Sequence, residues 1–558
     1  MSELPFFARA EVFARAEAAA SSSKVQNGSS RNARTLSICL VCPRFEPSFF
    51  GLEYALPVLP GDKRSASFPG GLPLLAALVP DGHSVTIVDE NIEALDFKYL
   101  STFDVIGLTG MIVQKKRMRE ILNSLRGTGT VLCVGGPYVT VDENYFEGLC
   151  DVRFIGEADV TWPKFLDDLA SGLPIAARYK QDDPTEMETL PCPRYDLVKT
   201  DHYMTATMQF SRGCPFLCEF CDIIVIFGRR PRLKHHSQIT KELEALLALG
   251  VRSVFFVDDN FIGNKSLAKA LLAVLVKWQE GKGFPMTFST EASINLGDDQ
   301  ELLDLLWRAN FASVFIGIES PRSKSLLETR KVQNVRGDPV EAKLERIRDA
   351  GLVIQAGFIV GFDNDDEAIF DEQFEFLQRT GIGSPFISVL SPIPSTPLYE
   401  RLSREGRLRL DDEVVWFEPK LLSRERLKAG YDELNRRLYG TDSFFQRIFG
   451  RQLRSVAYQA RRREARVRRT GEPNAKLKGA MASLIMAFRL ARELARRRKL
   501  STMGAAYFLA WWTRNLPLGR SALHLPEFLT LCARHWHCFC VAADARSNWG
   551  KAAEASAT

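Results

Sequence analysis

MQFSRGCPFLCEFCDIIVIFGRRPR, residues 208–232, sets Cys214, Cys218 and Cys221 in the spacing CxxxCxxC directly after a strand-like run, Met208 to Phe210. Three thiolates so spaced can hold three irons of a four-iron, four-sulfide cluster, and no fourth cysteine stands nearby to close it. One iron is then open to an exchangeable ligand, unlike the closed clusters of simple electron carriers. The competing reading is a structural zinc site, which takes four ligands in two pairs, and no CxxC or HxxxH partner accompanies these thiols.

Downstream, strand-like runs alternate with helical ones: SVFFVDDNF, MTFSTEAS, SVFIGIES, VIQAGFIVGF and PFISVLSPI. With the cluster strand these make six βα units, which predicts parallel strands with crossover helices closing into a partial (β/α)6 TIM-type barrel. Functional side chains then belong at the C-terminal ends of the strands. Asp258, Asp259 and Asn260 end the second strand, Glu291 and Ser293 the third and Glu319 the fourth, while Gly357 and Gly361 border the fifth. Any one of these acids can instead be a helix cap or a solvated loop charge, and either glycine only a turn.

SRGCPFLCEFC, residues 211–221, closely resembles the radical S-adenosylmethionine (SAM) signature, in which an aromatic residue, here Phe220, precedes the last cysteine and lies by the adenine. The resemblance implies a 4Fe-4S cluster on Cys214, Cys218 and Cys221 as metal-binding and catalytic residues. SAM would chelate the open iron, and an electron from the reduced cluster would split its sulfonium to a 5'-deoxyadenosyl radical. It further implies that the Asp258-Asp259 region meets the SAM amino group and that Glu291 or Glu319 hydrogen-bonds the ribose or the methionine end. Ser293 and Gly357 complete the cofactor-binding set on this side.

Between Thr35 and about Gly172 the pattern changes to LSICLVCP, HSVTIVDEN, DVIGLTGMIV, TVLCVGGPYVT and DVRFIGEAD, apolar runs ending in small or polar residues. They read as a doubly wound, Rossmann-like parallel sheet. Its ligand rim would carry Pro43, Asn91, Thr109, Gly110, Gly135, Gly136 and the Gly156-Glu157 turn. This domain ahead of this barrel resembles the cobalamin-binding class of radical SAM proteins, with GGPYVT and GEAD matching recurrent turns. That resemblance places cobalamin against Thr109, Gly110, Gly135, Gly136 and Glu157. The D-x-H-x-x-G motif that supplies a histidine to cobalt is missing: Asp81-Gly82-His83 is followed by Thr86, and His83 reads as a loop residue. The expected mode therefore has no protein histidine on cobalt, with Met111 to Gln114 facing the lower side of the corrin or simply packing. SRGCPFLCEFCDIIVIFGRRPR, VFFVDDNFIGNK and EASINL look most like the branch that includes the hopanoid C-2 methylase.

A chain of 558 residues exceeds what one core organises, and 46% apolar with 25% charged residues excludes a fibrous or wholly disordered protein. The expected divisions are a tail or targeting segment at 1–34, the cobalamin-binding domain at 35–175, the barrel at 195–402 and a mostly helical domain at 403–558. No apolar run approaches the roughly 20 residues of a bilayer span. Eleven cysteines without a secretory signal point to a reducing, cytoplasmic setting, with Cys39, Cys42 and Cys133 as small buried hydrophobes.

Residues 451–500 hold 16 Lys or Arg against 3 Glu, +13 locally, which leaves the remainder of the chain near −8. Beside the apolar faces ASLIMAFRLA and AAYFLAWWTRNL, these basic helices can rest on an anionic membrane, admit a lipid, or be ordinary solvated faces. No nucleic-acid recognition motif accompanies the charge. CARHWHCFC, residues 532–540, fits no standard zinc spacing and reads as helix core.

The expected activity is a cobalamin-dependent radical SAM methyl transfer to an unactivated carbon of a small-molecule or lipid-like substrate. The electron would come from a flavodoxin or ferredoxin type donor. A non-methylating cyclisation or rearrangement by the same radical chemistry is the alternative, and an iron-sulfur sensor or scaffold without catalysis a third reading.

Overall fold

The structure is a computed structural model that describes residues 34–410, 414–469, 475–521 and 523–555. All but Arg34 of the expected N-terminal tail lies outside the described residues. In chain order the strands are β1 (Ser37–Cys42), β2 (Ser65–Ser67), β3 (Ser84–Asp89), β4 (Val105–Thr109), β5 (Val131–Gly135), β6 (Val152–Ile155), β7 (Arg178–Lys180) and β8 (Tyr203–Met208). They continue as β9 (Ser211–Arg212), β10 (Arg232–Leu233), β11 (Ser253–Phe256), β12 (Thr287–Glu291), β13 (Phe311–Glu319), β14 (Val353–Val360) and β15 (Ser384–Val389).

The N-terminal sheet is wholly parallel, in the order β3-β1-β4-β5-β6-β7. Helices cover both of its faces, which is why β1 is a continuous apolar run instead of an alternating one. Cys39 and Val41 pack with Met118, Ile121 and Leu122 of the helix Lys115–Leu125, whereas Ile38, Leu40 and Cys42 pack with Trp162, Phe165 and Leu166 of the helix Thr161–Ala170. From β1 the chain steps to one side to form β3 and then returns to the other side for β4. The crevice at the C-terminal ends of β1 and β4 is therefore the switch point at which such sheets bind ligands. β7 at 178–180 adds a sixth strand past the expected boundary at 175.

The second sheet runs β15-β14-β13-β12-β11-β8-β2 and curls into the half-barrel expected from the alternation, with a helical region after it. β14 alternates strictly between buried and half-buried residues. One face packs on the surrounding helices and the other lines the lumen. Phe256, Phe288 and Phe311 meet ring to ring on the packed side. One strand is not visible in the βα pattern: β2, from the N-terminal segment, pairs with β8 through Ser65 and Ser67.

The helices after residue 423 pack against the last strand and its helix. His535 in the helix Leu525–Ala555 bridges the Tyr507 hydroxyl at 2.8 Å and the Tyr439 carbonyl at 3.0 Å, and His537 lies 2.8 Å from the Ser48 carbonyl. Both rings are fully buried, and burial pushes them down to about 3 and about 4. These contacts account for the Cys-His tract as helix core. No described helix is long and apolar enough to cross a membrane.

Candidate active site between the barrel and the N-terminal sheet

The three cysteines sit on a loop at the mouth of the barrel. Its ends are clamped where β9 and β10 pair antiparallel, Ser211 with Leu233 and Arg212 with Arg232. Gly213 opens the loop at φ +96°, and a Cβ there would stand 2.9 Å from the Arg230 carbonyl oxygen, so a side chain is excluded by backbone. From outside, Arg401 grips the Glu219 carboxylate at 2.8 and 3.2 Å, while the Glu219 amide donates to the Thr329 carbonyl. Cys218 is buried and Cys214 and Cys221 half-buried, with burial holding the latter two thiols above their ordinary range. All eleven cysteines are free. Among the described residues no three His, Cys, Asp or Glu side chains converge on one metal ion. Thiolates that each take a different iron of a cube do not need to.

The acids predicted at the strand ends have distinct surroundings. Asp258 faces inward, where its carboxylate accepts from the Ser211 amide, the Ser211 hydroxyl at 2.5 Å and the Phe210 amide at 3.3 Å, and so holds the turn into the cluster loop. Asp259 accepts from the Gly213 amide at 2.8 Å. Burial raises Asp258 to about 7 and Asp259 to about 6 against the pull of those hydrogen bonds. Glu291 is raised to about 7 by burial and by its negative neighbours Asp259 and Asp258; its carbonyl accepts from the Phe261 amide, while its carboxylate meets no hydrogen-bond or ion-pair partner among the described residues. Three acids crowded in a buried lumen suit a ligand that brings positive charge, as a sulfonium and an ammonium group do. Ser293 is held by Asn260 and Asn295.

Glu319 ends β13 at φ +68° and is paired with Lys331 at 2.5 Å, the ammonium also standing 5.8 Å over the Phe220 ring. A Cβ on Gly317 would collide with both partners. Gly357 is packed against Phe315, and Gly361, at φ +104°, turns its amide onto Asp365 at 2.9 Å. Sequence reading missed Lys331 and Gln333, whose Nε2 lies 3.4 Å from the Cys218 sulfur. They belong to KVQNV, a stretch with no motif, and only the fold brings them to the cluster loop.

A cavity of about 500 Å3 lies between the two sheets. Thr109, Gly110, Gly135, Gly136 and Glu157 line it from the switch-point side, and Gln209, Arg212 and Asp259 from the barrel side. Gly136, at φ +94°, admits no Cβ, which would stand 2.2 Å from Thr109 Oγ1. Met111 and Gln114 also line the cavity, the Gln114 amide donating to the Pro43 carbonyl at 2.5 Å. Among the described residues no histidine lines it, and His83 accepts from the Leu36 amide at 3.1 Å. A deep arm runs between sheet and helices past Leu40, Gly107 and Trp162. The indole N–H of Trp162, though buried, meets no acceptor among the described residues. An orphaned donor on an apolar arm leading from a polar rim fits a large cofactor carrying a heterocyclic tail.

Glu157 is fully committed. Arg212 donates to it at 2.6 Å and Arg232 at 2.5 and 3.0 Å, and these partners hold its carboxylate below the usual range despite burial. It bridges the loop after β6 to β9 and β10.

The radical SAM superfamily model matches residues 208–377, and a domain of unknown function (DUF4070) matches residues 396–549. An uncharacterised methyltransferase of Synechocystis sp. is 40% identical over 66% of this chain and 68% of its own length. The hopanoid C-2 methylase of Rhodopseudomonas palustris is 33% identical over 74% and 78% respectively. The chain belongs to the radical SAM superfamily and, within it, to the cobalamin-dependent methyltransferase family that includes the hopanoid C-2 methylase. Among solved structures, the fold resembles the cobalamin-dependent radical enzyme OxsB, with a TM-score of 0.58 at 14% identity over 90% of this chain and 83% of that one. It also resembles TsrM from Kitasatospora setae, a methyltransferase with cobalamin and a 4Fe-4S cluster bound, with a TM-score of 0.54 at 15% identity over 66% and 75%.

Proposed function

We propose that this enzyme transfers a methyl group to an unactivated carbon of a hydrophobic, lipid-like substrate. The observation that carries the reading is that one cavity is walled on one side by the switch-point rim and on the other by Asp259, which itself holds the amide next to Cys214. When bound, the cluster with SAM supplies a hydrogen-abstracting 5'-deoxyadenosyl radical and cobalamin supplies the methyl group.

The chain's own residues do the rest. Cys214, Cys218 and Cys221 hold the cluster, and Gln333 donates to the Cys218 sulfur. Glu291 and Asp259 offer negative charge to the sulfonium and ammonium of SAM. Glu319 and Lys331 hold each other at the adenine-side ring of Phe220. Thr109, Gly110, Gly135 and Gly136 leave backbone open to the corrin, and Trp162 donates within the deep arm. The largely apolar walls keep water from the radical. The 33% identical hopanoid C-2 methylase supports a lipid-like substrate; such a substrate would be met at a membrane surface in the cytoplasm. A donor of flavodoxin or ferredoxin type would deliver the electron.

The test is anaerobic reconstitution with iron, sulfide, cobalamin and methyl-labelled SAM, followed by mass analysis of lipid extracts. The label should appear in a lipid product with 5'-deoxyadenosine formed alongside it. Alanine at any one of the three cysteines should abolish both. A product of unchanged carbon count would replace methylation with a cyclisation or rearrangement.

A further inference from the structure

The helix Ala475–Arg496 and the helical segments Leu500–Gly504, Ala505–Ala510 and Trp511–Asn515 that follow it each carry two apolar faces. The inner one is ordinary core: Met486, Leu490 and Leu494, then Met503, Tyr507 and Ala510, are buried. On the outer face Met481, Leu484, Ile485 and Phe488, at the i, i+3, i+4, i+7 spacing of one helical stripe, are exposed, with Leu484 at 67% and Phe488 at 71%. On the segments that follow, Phe508, Leu509 and Trp512 are exposed as well, Phe508 at 67% and Trp512 at 62%, their two aromatic rings stacked at 6.4 Å. Apolar surface of this extent left in water is uncommon in a soluble protein and marks a contact.

We infer that this face seats on the surface of a bilayer containing anionic lipid. Charge selects the occupant: exposed Arg492 follows Phe488 by one turn of the same helix, and exposed Arg498 and Lys499 lie in the turn after it, within a stretch that carries +13. Bulky apolar and aromatic side chains inserted at the headgroup level, with arginine and lysine beside them, are the composition of an interfacial helix. A second copy of the chain would bring the same positive charge against itself, and a nucleic acid would leave the phenylalanines and tryptophan wet. The face is too short and too charged to span, so it lies in the plane of the interface. The use of such a seat rests on the lipid-like substrate proposed above; the seat itself is tested without turnover.

The experiment is flotation of the full-length holoenzyme with vesicles of phosphatidylcholine alone or with about one-third phosphatidylglycerol, at low and high salt. Binding should be about tenfold stronger to the anionic vesicles, weaken in high salt and fall about tenfold or more in Phe488→Glu/Trp512→Glu. These side chains are solvent-facing, so the double variant should keep its far-ultraviolet spectrum, its cluster absorbance and its cleavage of SAM. Equal binding by the variant, or none by the wild type, overturns the inference. So does a concentration-dependent dimer that the variant abolishes, since the face then belongs to a second copy. Vesicle binding without any lipid product would uphold the seat and count against the substrate reading alone.

Discussion

Arg212 Nη1 lies 2.6 Å from Glu157 Oε2 and 2.5 Å from Asp159 Oδ2, so a residue two positions before the first cluster cysteine is clamped to the opposite sheet. All three side chains are buried and stand on the wall of the cavity. The clamp sets how far the N-terminal sheet stands from the cluster loop.

Glu157→Gln keeps the shape and removes the charge that two arginines share. Removing one partner of a buried ion pair costs about 3 kcal/mol, which lowers the unfolding midpoint. With the sheets less tightly registered, SAM cleavage should stay within about twofold while methyl transfer falls about tenfold, because a radical reaction needs its partners in contact. The ratio of 5'-deoxyadenosine to methylated product reads this directly, and an unchanged ratio would make the clamp purely structural.

Gln333→Leu removes the amide that meets the Cys218 sulfur at 3.4 Å. A hydrogen bond to a cluster thiolate favours the reduced, more negative state, so its loss should lower the cluster potential. One such bond is worth about a tenfold change in the one-electron equilibrium, about 60 mV. Redox titration followed by electron paramagnetic resonance measures it.

Trp162→Phe retains the ring in the deep arm and deletes its unpartnered donor. Without cobalamin the variant should lose no more than about 1 kcal/mol of stability, because the void left by the smaller ring is partly offset by removing a buried N–H without an acceptor. Cobalamin retention should weaken about fivefold, about one hydrogen bond's worth. Visible absorbance after gel filtration checks the second point and thermal unfolding the first.

Acid should loosen the C-terminal helical layer. His535 and His537 are held down at about 3 and about 4 from an ordinary 6.5, chiefly by burial. Below pH 6.5 the unfolded chain binds protons at these two sites and the folded chain does not. Stability therefore falls with decreasing pH until the folded values are reached, by up to about 1.4 kcal/mol per pH unit and per histidine. Thermal unfolding at pH 7.5 and pH 5 should show the drop, and His535→Gln, which keeps a polar side chain but cannot titrate, should show less of it.

The half-barrel was legible because each of its six βα units announces itself locally in an apolar run, three of which end in Asp258-Asp259, Glu291 and Glu319. β2 was not: SAS carries no hydrophobic period, and its place beside β8 is decided by backbone pairing across more than a hundred residues. The acids were found at the strand ends as a class, yet their surroundings separated them. Asp258 turns inward to Ser211, Glu319 takes Lys331, and the Glu291 carboxylate meets no partner among the described residues.

By itself, the sequence determined what neighbouring residues can carry: three thiols on one loop, alternating strands and helices, and helices rich in both arginine and apolar side chains. Tertiary structure alone decided which distant groups meet, Gln333 with Cys218, Arg212 with Glu157, and which apolar face stays outside, Phe488 with Trp512. The reason is physical. Periodicity and spacing record forces acting within a few residues along the chain, while contacts between remote side chains leave no period and exist only once the backbone has closed.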